Sequence, residues 1–366
     1  MNILPGEGIQ HTDPDGFLSR TQVIDKLTNY ANTFQLPVQE HSIVSSVTKT
    51  PGEKHFAVNV QKYQQQQQWI SKQVVIASGA LNAPEIPSMS KTLTNNIQQI
   101  HVANYHNTAQ LRPGAVMIIG GGQSGCQVAE DLVANGRKVY LSSSRVGRVP
   151  RRHRGKDIFY WLTRMNHYDT LTDAVSDPGE FTATTPLVSG VGKQGRTISL
   201  QSLHEQGVTI LGRLKNIEDD SLHFTVDAAE HIRCGDAFSE KTKAQVDKYI
   251  ADCGISASES EPDEADLPDT DCKCDEQVSS INCTEKNIHT VIWTTGFTGD
   301  FSWIKLPVLN DRGNPLHTNG ISSVPGLYFI GFPWLRSRKS GILYGMADDT
   351  EYIGAQLVKN IMNPLL

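Results

Sequence analysis

The chain has 366 residues, 38% hydrophobic and 20% charged, a globular composition too long for one core, so two domains are expected. No apolar run approaches the roughly 20 residues of a membrane span, and the start MNILPGEGIQ lacks the basic and apolar regions of a secretion signal, so a cytoplasmic location is the expectation. The net charge of -6 is local: residues 259–276 hold nine acids against Lys273 alone, leaving the rest near +2 without the basic stripe that nucleic acid requires.

Residues 21–35 predict an amphipathic helix, with Val23, Ile24, Leu27, Tyr30, Ala31 and Phe34 on one side and Thr21 as its cap. Strands are expected at 42–49, 55–61 and 73–77, with the glutamine run 64–68 as a solvated turn between the last two. The third strand runs into Ala77-Ser78-Gly79-Ala80, a small-residue turn that allows a ligand close to the backbone.

Residues 116–145, VMIIGGGQSGCQVAEDLVANGRKVYLSSSR, form a complete dinucleotide-binding unit more than a hundred residues into the chain. Val116 to Ile119 reads as a buried parallel strand, and Gly120, Gly122 and Gly125 follow on the G-x-G-x-x-G spacing. A helix over 124–135, with Val128, Ala129, Leu132 and Val133 on one face, stops at Gly136 and leads to a second strand at 138–141. The helix start would hold phosphates through exposed amides and dipole. Where NAD enzymes carry an acid, about 20 positions on, this chain reads Ser142-Ser143-Ser144-Arg145, followed by Arg148, Arg151, Arg152 and Arg154. A guanidinium suits a 2′-phosphate, so NADP(H) is favoured over NAD(H), with Arg145 the leading residue. Gly190, Gly192 and Gly195 share the glycine spacing, but the stretch before them, with Pro186 inside it, is a poor strand and reads as an ordinary loop.

Helices are expected at 158–165, 198–206 and 236–253, a strand at 208–211, and a loosely held acidic loop over 256–285. A second small-residue turn ends the strand Val291-Ile292-Trp293-Thr294-Thr295-Gly296, and a third follows 326–330 at Gly331, before a helix over 345–361. Turns on both sides of the nucleotide unit imply that it is inserted into another domain. Six cysteines are present, none in C-x-x-C spacing, which disfavours a dithiol disulfide reductase. Cys272, Cys274 and Cys283 read as reduced, solvent-facing thiols, and no metal site is expected.

Taken together, the 74–80 turn, His101-Val-Ala-Asn-Tyr105, the nucleotide unit, Pro150-Arg-Arg-His-Arg-Gly155-Lys-Asp157, the 293–297 turn and Gly326-Leu-Tyr-Phe-Ile-Gly331 resemble the flavin-dependent monooxygenase superfamily. The resemblance implies an α/β, two-dinucleotide-binding flavoprotein, with a Rossmann-like NADPH domain (109–289) inserted into an FAD domain (1–108 and 290–366). It implies FAD and NADPH as cofactors, with a flavin hydroperoxide oxygenating a small organic substrate by means of oxygen. The sites it implies are Gly120, Gly122, Gln123, Ser124, Gly125, Ser143, Arg145 and Arg151 for NADPH. For FAD they are Ala77, Ser78, Gly79, Gly331 and Asp348, and at the domain junction His101, Tyr105, Thr295 and Gly296. The family fingerprint departs here, because Asn95 and Ile97 stand where it has an aromatic residue and a glycine before the histidine, so a Baeyer-Villiger activity is not supported. Family members also open with their own strand-glycine-helix unit for FAD, which residues 1–18 lack, so an incomplete FAD domain is expected. The alternative function is a non-catalytic NADP(H)-binding remnant.

Overall fold

The computed structural model describes Leu4 and residues 17–50, 52, 54–191, 195–270 and 278–362. Its first segment carries helix α1 (Arg20–Thr33) and strands β1 (Ser42–Thr48), β2 (Phe56–Lys62), β3 (Gln65–Ser71), β4 (Val74–Ile76) and β5 (Ala83–Pro84). Ser19, not Thr21, caps α1 in a reciprocal capping box with Gln22. β1, β2 and β3 form an antiparallel sheet. The glutamine run is therefore an exposed edge strand rather than a turn; the turn lies just before it, where Tyr63 has φ 54°.

Next come β6 (Gln98–His101), β7 (Ala115–Ile119), α2 (Gln123–Ala134) and β8 (Val139–Ser142), then the two-residue pair β9 (Arg152–His153) and β10 (Lys156–Asp157), and α3 (Ile158–Arg164). They are followed by α4 (Leu200–Glu205), β11 (Thr209–Leu211), β12 (Leu214–Glu218), β13 (Ser221–Phe224), the 25-residue α5 (Ala228–Asp252), β14 (Ser280–Asn282) and β15 (Ile288–Trp293). Five of these strands make one parallel sheet, in the order β11-β8-β7-β15-β6. Both faces of a parallel sheet are covered, so its strands read as unbroken apolar runs. Val116 and Ile118 of β7 pack against α2, α4 and α5, while Ala115, Met117 and Ile119 face the antiparallel β12-β13-β14 sheet through Ile217, Leu222, Phe224 and Ile281.

The chain then returns through β16 (Phe297–Thr298) and β17 (Leu327–Phe329) to α6 (Met346–Met362). β17 pairs in parallel with β4 across some 250 residues of sequence, and Phe56, Ile76, Phe301, Ile304, Leu327 and Phe329 share one core. The parallel sheet is thus inserted between two stretches that fold together. The strands drawn into it include β6 and β15, so its sheet reaches beyond both ends of the 109–289 range read from sequence.

The 256–285 stretch is not uniformly loose. Asp266 is 7% exposed and bonded to Arg148, Ser239 and Lys243, and β14 joins a sheet. Cys283 is fully buried rather than solvent-facing, because it packs with Ile281 and Ile288 in the core under the parallel sheet, while Cys272 and Cys274 lie outside the described residues, as does Gly192. Among the described residues no helix is long and apolar enough to cross a membrane, and no cluster of His, Cys, Asp and Glu could hold a metal.

Candidate functional site

The glycine turn between β7 and α2 is shaped by what each position must avoid. Gly120 adopts φ 120°, and a Cβ there would stand 2.5 Å from the Thr294 carbonyl oxygen. A Cβ on Gly125 would collide with the carbonyl of Gly120, so only glycine lets α2 lie this close to the strand. Gly122, the N-cap, has the opposite character: a Cβ there would meet nothing within 4 Å. Steric demand inside the protein explains Gly120 and Gly125, whereas Gly122 leaves open space on the outer side. The first intrahelical bond is Cys126 N–H to the Gly122 carbonyl at 3.0 Å, so the amides of Gln123, Ser124 and Gly125 point off the helix end. That open approach, with the helix dipole behind it, fits a pyrophosphate. Thr294 reinforces the turn by donating to the carbonyls of Ile119 and Gly120, both at 2.9 Å.

Gln123 has a holding role visible in the structure. Its amide donates to the Ser189 carbonyl at 2.6 Å and accepts from Val188 N–H at 2.9 Å, fixing the 187–191 segment against α2. Glu130, buried at 2% exposure, accepts from Val191 N–H and Arg196 in the same way. Ser124 is exposed at the helix start.

At the end of β8 the proposed 2′-phosphate readers are largely engaged within the protein. Ser143 is 2% exposed; its hydroxyl donates to the Leu211 carbonyl at 2.6 Å and lies 2.8 Å from His231 Nδ1. With the hydroxyl proton given to Leu211, His231 Nδ1 carries its own proton and donates to Ser143. Burial lowers the His231 pKa, the negative charges of Asp227 and Glu230 opposing it, which favours a neutral ring. Arg151 is buried, pairs with Asp157 and stacks over Phe17 and Phe159. Arg148, 2% exposed, is gripped by Asp236 and Asp266. Arg145 is exposed, and it pairs with Glu230 in the first turn of α5. A narrow cleft beside these groups is lined by Gly121, Ser144, Arg148, Gln201 and His231.

A second pair of turns lies where β4 and β17 end side by side. Gly79 has φ 70° and Gly331 φ 80°, and a Cβ on Gly79 would stand 3.8 Å from the Gly331 carbonyl oxygen. The two backbones therefore cross a shared edge, with Ala77 and Ser78 exposed there. Gly331 also faces the side-chain tip of Met346, the first residue of α6, so the start of that helix borders the same edge. Asp348 is exposed and pairs with Lys339 at 2.6 Å. Its neighbour Asp349, not singled out from sequence, is 2% exposed, with its pKa raised by burial and Oδ2 without a hydrogen-bond partner among the described residues. Two adjacent aspartates in a first turn differ in burial only through the 100° step of the helix, which the sequence does not resolve without knowing the packed face.

The junction residues come together at the crossing between the units. His101 ends β6, is 3% exposed, and its Nε2 lies 2.9 Å from the Gly296 carbonyl oxygen, while Nδ1 accepts from Ala103 N–H. Its ring meets Phe297 edge-on at 4.8 Å. Thr295 donates to the Glu85 carbonyl, and β5 pairs with β16, so both passages of the chain are tied to each other. Tyr105 donates to Asp131 of α2 at 2.7 Å; burial and that carboxylate raise its pKa and keep the phenol protonated.

The family model described as pyridine nucleotide-disulphide oxidoreductase matches residues 9–181. The chain is 28% identical to the oxidoreductase named CzcO-like of Geobacillus kaustophilus, over 99% of this chain and 83% of that one. Among solved structures it is similar to a flavin-containing monooxygenase from Stenotrophomonas maltophilia, with TM-score 0.58 at 16% identity, covering 98% of this chain and 82% of that one. It is also similar to an ornithine N-hydroxylase of Kutzneria sp. 744 in complex with reduced FAD, NADP+ and L-ornithine; the TM-score is 0.57 at 13% identity, over 93% and 77% of the two chains. The chain has the two-dinucleotide-binding flavoprotein fold of these structures.

Proposed function

We propose that the chain is an FAD- and NADPH-dependent oxidoreductase of the monooxygenase type, acting on a small organic substrate with oxygen. The observation that carries the reading is the presence of two glycine-built ligand edges in one fold. One lies at Gly120 to Gly125 with the start of α2, the other at Gly79 and Gly331 with the start of α6. Both have backbone approach and a helix N-terminus, the combination that holds a dinucleotide phosphate. When bound, the flavin would take a hydride from the nicotinamide and supply the oxygen-reactive centre.

The chain's own residues hold and orient. Gly122 and the amides of residues 123–125 would seat the nicotinamide nucleotide's pyrophosphate, and Arg145 would meet its 2′-phosphate. Gly79, Ser78 and Gly331 would carry the flavin nucleotide, with Asp349 supplying a buried acceptor close to the α6 start. His101, Tyr105, Thr295 and Gly296 would fix the angle at which the two units meet.

The test is thermal unfolding of the purified chain with each nucleotide. FAD and NADPH should each raise Tm, since a ligand at a hundredfold excess over Kd stabilises by about 2.7 kcal/mol. Gly122→Val should abolish the NADPH shift while leaving the unliganded Tm and the FAD shift in place. A chain whose Tm responds to neither nucleotide is not this enzyme, and one that responds to NADPH alone is a nicotinamide-nucleotide-binding protein without the flavin.

A further inference from the structure

The acid that NAD enzymes place at the end of the second strand is absent from the local sequence, yet the fold delivers one to that place. Glu230 comes from 85 residues downstream and ion-pairs with Arg145, three residues past the end of β8. Its placement is built rather than incidental. His231, 4% exposed, is locked onto Ser143 just past β8, and Asp227 accepts from Arg213 N–H just past β11, so the first turn of α5 is held on both sides of Glu230. Val146, Arg148, His231, Ile232 and Gly235 line the adjoining cleft with Gly121 and Ser144, so this turn borders the nucleotide site itself.

We propose that Glu230 sets the choice between a 2′-phosphorylated and an unphosphorylated nicotinamide nucleotide, acting as an internal carboxylate that competes with the 2′-phosphate for Arg145. The inference rests on the nucleotide-site reading given above. A 2′-phosphate arriving at Arg145 must displace Glu230 and then lie beside it, and like charges at that range repel. An unphosphorylated ribose brings no charge, leaves the ion pair intact, and finds in Glu230 an acceptor for its hydroxyls. Arg145 and Glu230 are 65% and 50% exposed in their side chains, so the pair is weak enough to be broken by a ligand and the effect is one of degree. The 2′-phosphate preference that the arginines alone would give is thereby reduced toward use of both nucleotides.

Calorimetric titration of the full chain with ADP-ribose and with 2′-phospho-ADP-ribose tests this without requiring flavin or turnover. Glu230→Gln should tighten 2′-phospho-ADP-ribose about two- to fivefold, the scale of one exposed charge pair, and leave ADP-ribose unchanged or slightly weaker. Arg145→Ala should erase the difference between the two ligands, and added salt should shrink the gain from Glu230→Gln. A Glu230→Gln variant that shifts both ligands equally, or neither, overturns the role of Glu230 while leaving the nucleotide site standing. Failure of the unsubstituted chain to bind either ligand defeats the site and the proposal together.

Discussion

At the scale of single residues, the same residue type plays opposite parts within a few positions. Gly125 is required by the protein's own packing and Gly122 is not, so the two should separate on substitution. Gly125→Ala must push α2 off the strand and should cost about 1–3 kcal/mol or more, as overpacked sites do, seen as a fall in Tm without any ligand. Gly122→Ala should leave that Tm within experimental scatter. The cysteines divide in the same way. Burial first, and the Glu130 charge second, push the Cys126 thiol up to about 12; burial and Asp220 do the same for Cys283, whereas Cys234 and Cys253 are exposed. The thiolate is the reactive form and a raised pKa keeps it scarce at neutral pH. Iodoacetamide at pH 8 should therefore modify Cys234 and Cys253 in the native chain and spare Cys126 and Cys283 until denaturant is added, as read by peptide mass mapping. Labelling of Cys126 in the native chain would show that the glycine turn opens.

At the scale of elements, what the sequence made legible is what is locally encoded. The β7-turn-α2-β8 unit announces itself because an apolar strand, three glycines, an amphipathic face and a terminating glycine fall within thirty residues. The β12-β13-β14 sheet went unread because its strands are three to five residues long and its third member pairs across more than fifty residues of sequence. The arginines after β8 were read as a ligand surface because their partners are remote: Asp236 and Asp266 lie 88 and 118 residues from Arg148. That network turns part of the acidic stretch from an expected loose loop into an anchor joining α5 to the segment after β8. Replacing Arg148 by Met should leave the buried Asp236 without its cation, while Asp266 keeps Lys243, and cost about 3–5 kcal/mol. The loss should appear as a drop in the urea midpoint at pH 7, and restoring neutrality with Asp236→Asn and Asp266→Asn in the same chain should recover part of it. An unchanged midpoint for Arg148→Met would mean that the network contributes nothing to stability.

At the scale of the molecule, two glycine-built edges stand on two units that the chain enters, leaves and re-enters. The passages between them are bound to each other by β5 with β16, by Thr295 to Glu85 and by His101 beside the Gly296 carbonyl. A further contact runs between the inserted unit and the returning segment, where Lys339 pairs with both Asp169 and Asp348, and Arg338 pairs with Glu180. The architecture would thereby hold the two nucleotides of the proposed function in a fixed relation, which is what transfer between a nicotinamide and a flavin demands. The measurement that tests this most directly is anaerobic mixing of NADPH with the purified chain after it has been loaded with FAD and freed of excess flavin. The account predicts that the chain retains the flavin, that NADPH bleaches its visible absorbance, and that Gly122→Val retains the flavin but bleaches far more slowly. A chain that keeps no flavin, or keeps it and is not bleached by NADPH or NADH, would contradict it.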